Sequence, residues 1–152
     1  MKPAALLCLL VICLDQVRTE DIWWEKVKAP KLTNSLYKAH VGKDKYVLIE
    51  FYSKSSTSCQ DLYPELNQVY EDLKSGTIKR TDFEVFVAEG EEIDGLEKKL
   101  GITSYPSLYL YKPGDKDYPE VYRFGRDYES IRNYIMSQVP APAISEGTFE
   151  LP

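Results

Sequence analysis

Apolar positions along the chain recur with two different periods, and the change from one to the other lays out the elements. Tyr46-Val47-Leu48-Ile49-Glu50-Phe51-Tyr52 is β-branched and aromatic and carries apolar residues on both faces, which predicts a central strand covered on both sides. A polar turn of small residues, Ser53–Ser58, follows. Leu62, Leu66, Val69, Tyr70 and Leu73 then fall at offsets of four, seven, eight and eleven, the spacing of one helical face, and Gly76 closes the segment. Phe83–Ala88 predicts a second buried strand, and Leu96–Leu100 a short helix stopped by Gly101. Ser107–Lys112 predicts a third strand, which turns at Pro113-Gly114-Asp115 into a fourth over Val121–Phe124. Asp127 caps a last helix with Tyr128, Ile131, Tyr134 and Ile135 on one face. Ahead of the core, a lead-in carries Trp23-Trp24 and is halted by Pro30, and Asn34–His40 forms a short helix capped by Thr33 or Asn34.

Helices alternate with strands until a tight turn joins the last two strands. That order predicts an α/β fold in one domain, with a mixed sheet and helices on both faces. The helical crossovers supply the parallel part and the turn at Gly114 the antiparallel part.

The ends read differently. Lys2 precedes an apolar run, Ala4–Leu14, which is broken by Asp15, Gln16 and Arg18. The run is shorter than the ~20 residues a membrane-spanning helix needs, and it has the length of a secretory h-region. A buried N-terminal helix or strand is the competing reading. Cleavage is placed after Cys13 or Thr19, so residues 1–19 are taken as signal and residues 20–138 as the domain. Once the signal is removed, no segment is expected to enter a membrane. Residues 139–152, rich in Pro, Ala and Gly, are expected to form a tail of low order.

Charge and composition narrow the partners. The net charge is −5, Lys and Glu are interspersed, and no basic stripe points to nucleic acid or an anionic membrane. The 12 Tyr and 5 Phe exceed what a core of this size absorbs, so some are expected to meet other proteins. Three cysteines are present, and Cys8 and Cys13 leave with the signal. The remaining Cys59 has no internal disulfide partner, so it is either buried or reactive. The single His40 ends a short helix and reads as a capping or solvent residue. With one Cys and one His no ligand cluster forms, and neither a metal nor a cofactor is expected.

Three segments carry a resemblance. Phe51-Tyr52-Ser53-Lys54-Ser55-Ser56-Thr57-Ser58-Cys59-Gln60-Asp61-Leu62-Tyr63-Pro64-Glu65 resembles the protein disulfide isomerase pattern FYAPWCGHCKxLxPE without a gap. Gly101-Ile102-Thr103-Ser104-Tyr105-Pro106-Ser107-Leu108 is similar to GVxxYPTL, and Tyr122-Arg123-Phe124-Gly125-Arg126 to the YxGxR corner. The likeness runs over residues 27–138. It implies a thioredoxin fold, a cis Pro106 facing the motif, a helix that tolerates Pro64 by kinking, and Glu50 as the buried carboxylate that accepts a proton from the second cysteine.

The motif departs from that family where its chemistry lies. Ser56 stands in place of the nucleophilic cysteine, Ser55 in place of the tryptophan and Ser58 in place of the histidine. A hydroxyl does not attack a disulfide at neutral pH. Cys59 keeps only the resolving position, where burial and Glu50 both disfavour a thiolate. A softer likeness is to redox-inactive folding factors of the Windbeutel type, through Val85–Gly90, Tyr105–Tyr111, Gly114-Asp115 and Pro119–Tyr122. The C-terminal helical domain of those proteins has no counterpart here.

The resemblance therefore implies a secretory-pathway protein that holds unfolded or secretory client polypeptides as a chaperone or escort, without dithiol chemistry. Its binding groups would be Tyr105 and Pro106, which present backbone for strand addition, with Ser56, Tyr52 and Tyr63 beside them. Each tyrosine, taken singly, reads equally well as core or scattered surface. Monothiol exchange through Cys59 at a helix N-terminus is the alternative function. A homodimer is left open. The endoplasmic reticulum lumen is the expected compartment. Secretion is the alternative, since Phe149-Glu150-Leu151-Pro152 is not a KDEL-type signal.

Overall fold

The computed structural model describes residues 22–140, so the expected signal and the tail from residue 141 lie outside the described residues. Strand β1 (Tyr46–Tyr52) is buried at every position. β2 (Phe83–Glu89) runs parallel to it, and β3 (Ser107–Tyr111) runs antiparallel on its other side. β4 (Glu120–Val121) closes the sheet in the order β2-β1-β3-β4. Four α-helices complete the domain: α1 (Asn34–His40), α2 (Thr57–Ser75), α3 (Leu96–Leu100) and α4 (Tyr128–Ser137).

The two-sided burial follows from strand parity. Tyr46, Leu48 and Tyr52 turn to one face, where α2 and α4 deliver Leu62, Leu66, Val69, Ile131 and Ile135. Val47, Ile49 and Phe51 turn to the other, against Phe86, Leu96, Tyr109 and Tyr111, with Leu36 and Leu100 packed alongside. Each face buries its own core, so β1 is apolar at every position but Glu50.

Caps set the helix ends. The Thr33 Oγ1 accepts the Leu36 N–H at 3.2 Å, which makes Thr33 the cap of α1. The Asp127 carboxylate accepts the Ser130 N–H at 2.9 Å at the start of α4. Helix α2 ends on Gly76 in the left-handed conformation (φ 80°), which a residue with a Cβ enters at a cost.

Three features differ from expectation. The fourth strand covers Glu120–Val121, not Val121–Phe124, because the Tyr122 hydroxyl donates to the Gly125 carbonyl and bends the chain there. Phe124 consequently stands 63% exposed. β3 ends at Tyr111, one residue early. His40 does not cap its helix: its Nδ1 meets Glu84 Oε2 at 2.7 Å across to β2, and its ring lies against Phe86.

The lead-in bypasses the sheet. A 3-10 turn over Trp23–Lys26 buries Trp23. The Asn67 side chain of α2 then donates to the Lys26 carbonyl and accepts the Lys28 N–H, both at 2.8 Å. The chain reaches the sheet only at Lys31, as a single bridge to Val87. Pro30, with no N–H, keeps that bridge from growing into a strand.

Asn67 is a buried amide holding two backbone groups, and Asn67→Ala removes both of those hydrogen bonds. Urea denaturation is expected to show a loss of about 1–3 kcal/mol, with Trp23 fluorescence reporting the released lead-in.

Candidate functional site

Three segments converge at one end of the sheet: the last residues of β1, the first turn of α2, and the loop that enters β3. After Tyr52 the chain folds back through Ser53–Ser56, with the Ser56 N–H on the Ser53 carbonyl at 3.0 Å. Ser56 then caps α2, its Oγ accepting the Cys59 N–H at 3.3 Å. The same hydroxyl donates to the Tyr105 carbonyl at 3.3 Å. One side chain therefore ties the helix to the loop that carries the cis Tyr105-Pro106 peptide.

That loop is braced on both sides. The Tyr105 hydroxyl donates to Glu97 at 2.9 Å, and an Arg126 guanidinium N–H donates to the Pro106 carbonyl at 3.3 Å. A groove of about 600 Å³ opens on the side lined by Ile93, Glu97, Ile102 and Tyr105. Another, of about 540 Å³, is lined by Pro106, Ser107, Phe124 and Arg126.

The ionisable groups lie underneath. Cys59 is fully enclosed, at 0% exposure, and free. Burial pushes its thiol up and Glu50 adds to this, against hydrogen bonds from Ser56 and Ser53 and the charge of Arg126. Glu50 is 2% exposed and one of its oxygens lacks a partner. Burial pushes its carboxyl up to about 8, with Arg126 opposing, so it is largely protonated at neutral pH. The helix N-terminus over Cys59 is not enough to make a thiolate, and the arrangement does not favour monothiol exchange.

The site residues named from the sequence separate into two layers. Ser56, Tyr105 and Pro106 share one hydrogen-bonded ridge. Tyr63 is half-buried and stacks on Trp23 with ring centroids 5.8 Å apart. Tyr52 lies beneath the ridge at 1% exposure, with its hydroxyl unpartnered and pushed up by burial, so it presents no ring to a bound chain. Two contributors were not assigned from the sequence. Trp23 closes the flank, its indole N–H donating to the Lys54 carbonyl at 3.3 Å, and Arg126 holds Pro106. Arg126 was visible in the YxGxR corner, whereas nothing in the Trp23-Trp24 pair said where it would pack.

This geometry is matched by known proteins. The thioredoxin family profile fits residues 28–137. The chain belongs to the thioredoxin family. Within it, this domain is of the disulfide isomerase type. It is 27% identical over 128 residues to protein disulfide-isomerase of Oryctolagus cuniculus, covering 82% of this chain and 25% of that protein. It is 29% identical over 107 residues to protein disulfide isomerase-like 2-1 of Oryza sativa subsp. japonica, covering 70% and 28%. The chain thus spans about a quarter of the length of these relatives. Among solved structures, human ERp44 form I superposes with a TM-score of 0.61 at 17% identity, over 72% of this chain and 29% of that one. The J-Trx1 fragment of ERdj5 gives 0.59 at 22%, over 71% and 48%. These structures speak for the fold.

Two outcomes follow for the buried groups. Peptide-resolved alkylation of Cys59 in the folded thioredoxin domain is expected to be at least ~tenfold slower at pH 7 than in the urea-unfolded chain, and to rise only at high pH. Glu50 binds its proton more tightly folded than unfolded. Its contribution is therefore present below about pH 4.5 and is lost as pH rises to about 8. Glu50→Gln should stabilise the domain increasingly over that window, by up to about a few kcal/mol, read from urea midpoints at pH 5 and pH 8.

Proposed function

We propose that this thioredoxin domain binds unfolded client polypeptides in the secretory pathway, most naturally in the endoplasmic reticulum lumen, and performs no dithiol chemistry. One observation carries the reading. The cis-Pro106 ridge is intact and flanked by grooves, while the nucleophile's place above it is taken by the Ser56 hydroxyl and the remaining sulfur is sealed below. An isomerase-type site stripped of its attacking thiol keeps its means of holding a chain. The ridge offers backbone at Tyr105-Pro106 for an extended segment, Tyr63 and exposed Phe124 add aromatic surface at the margins, and Arg126 offers charge.

The compartment rests on the relatives, which include protein disulfide-isomerases, and on the apolar run at residues 4–14. The polypeptide client class rests on the ridge itself. Since the relatives are about four times longer, holding by a single domain is expected to be weak, in the micromolar range or weaker.

Binding of a reduced, unfolded polypeptide, followed by fluorescence anisotropy, tests the reading. Cys59→Ser should bind within about twofold of the wild type, whereas loss of binding in that variant would transfer the function to the thiol. In an insulin-reduction assay the wild type should be silent. Ser56→Cys places a second sulfur beside Cys59 and is expected to switch reduction on, which identifies the hydroxyl as what silences the site.

A further inference from the structure

The groove on the Pro106 side of the ridge exists because the fourth strand stops early. The Tyr122 N–H still donates to the Leu108 carbonyl at 2.9 Å, and the chain then turns away through Arg123–Gly125. The N–H and C=O of one residue in an antiparallel strand point to the same side, so the Leu108 N–H faces the space that β4 leaves. Among the described residues no backbone acceptor meets it there. An N–H left open at the floor of a groove calls for an acceptor from outside.

The side chains around this opening agree in sign. Arg123 and Arg126 are its charged residues, both exposed, and among the described residues no carboxylate lines it. Neither guanidinium forms an ion pair among the described residues: Arg126 uses one N–H on the Pro106 carbonyl, and Arg123 uses none. Two acids stand beside these arginines without entering the groove. Asp127 turns its carboxylate to the Ser130 N–H and hydroxyl, at 2.9 and 2.7 Å, as the cap of α4. Asp61 lies with Arg126 in a separate cleft of about 180 Å³ on the α2 side. The groove is thus a cationic, donor-rich patch on a chain of net charge −5, with the exposed Phe124 ring at its rim. The groove on the other side of Tyr105 has the opposite character, since Asp94 and Glu97 line it with Lys98. A fitting ligand accepts hydrogen bonds, carries negative charge and brings an apolar group to Phe124. An extended polypeptide with an aspartate or glutamate next to an apolar residue meets all three demands.

We infer that the ridge selects acidic client segments: an extended chain sets an Asp or Glu carboxylate on Arg123 and Arg126, a backbone carbonyl on the Leu108 N–H, and an apolar neighbour on Phe124. This rests on the reading that the ridge holds polypeptide clients, and it names the class of segment that is preferred.

Two fluorescent unfolded peptides test it, identical except that every Asp and Glu of the first is Asn or Gln in the second. Anisotropy at low salt is expected to show the wild type binding the acidic peptide at least ~threefold more tightly. Arg123 is exposed and outside both cores, so it can be changed without touching the fold. Arg123→Glu is expected to abolish the preference while binding of the neutral peptide stays within ~twofold, and Arg123→Lys to keep most of it. In amide NMR spectra the acidic peptide should shift Leu108 and Arg123 and leave Gly95, across the ridge, unmoved. Equal binding of the two peptides overturns this inference and leaves client holding in place, whereas binding of neither overturns both. A preference that survives in Arg123→Glu, or shifts at Gly95 instead of Leu108, puts the acid elsewhere and also overturns it. Tighter binding to phosphatidylserine vesicles than to the acidic peptide would give the groove to a membrane surface, with the same result.

Discussion

The fold depends on β1 being dry on both faces. Seven consecutive residues there are buried, and β1 is the middle of the β2-β1-β3 sheet that separates the layer of α2 and α4 from the layer of α1 and α3. Burial of apolar surface stabilises by roughly 25 cal/mol per Å², and every aliphatic and aromatic side chain of β1 contributes to it. The same dryness makes Glu50 expensive to ionise and places Tyr52 below the surface. What holds the protein together thus also sets the chemistry under its site. A carboxyl on an exposed strand would be an ordinary acid, whereas here it is a largely protonated group inside the core with one oxygen lacking a partner.

Ser56 shows how small a change separates a helix cap from a nucleophile. Its oxygen does for the architecture what any N-cap does, accepting from Cys59, and it also reaches the Tyr105 carbonyl. A sulfur at that place would be a poorer cap and a better nucleophile. The substitution therefore exchanges reactivity for a tighter connection between α2 and the loop before β3.

Much of this was legible in the sequence, for reasons that differ by element. β1, α2 and α4 were readable because burial imposes a strict period, and Leu62, Leu66, Val69, Ile131 and Ile135 obey it. Ser56, Cys59, Tyr105 and Pro106 could be paired in advance because the motif spacing matched a known pattern. The fourth strand was misplaced because Val121–Phe124 has the right residue types, yet a local bond from Tyr122 to Gly125 overrides propensity. Tyr52 was named as a binding group, with the core an equal reading, because strand parity tells which face a side chain takes but not how deep that face is covered. His40 was misjudged because its partner, Glu84, is 44 residues away and belongs to another element.

The enclosure of Cys59 has a consequence for the life of the protein. Among the described residues the folded domain presents no thiol to solvent, so thiol reagents reach Cys59 only when the domain opens. A copy that loses its fold uncovers that thiol and opens it to mixed-disulfide exchange. Cys59 therefore works as a tamper seal on the domain, covered while the fold holds and open once it fails.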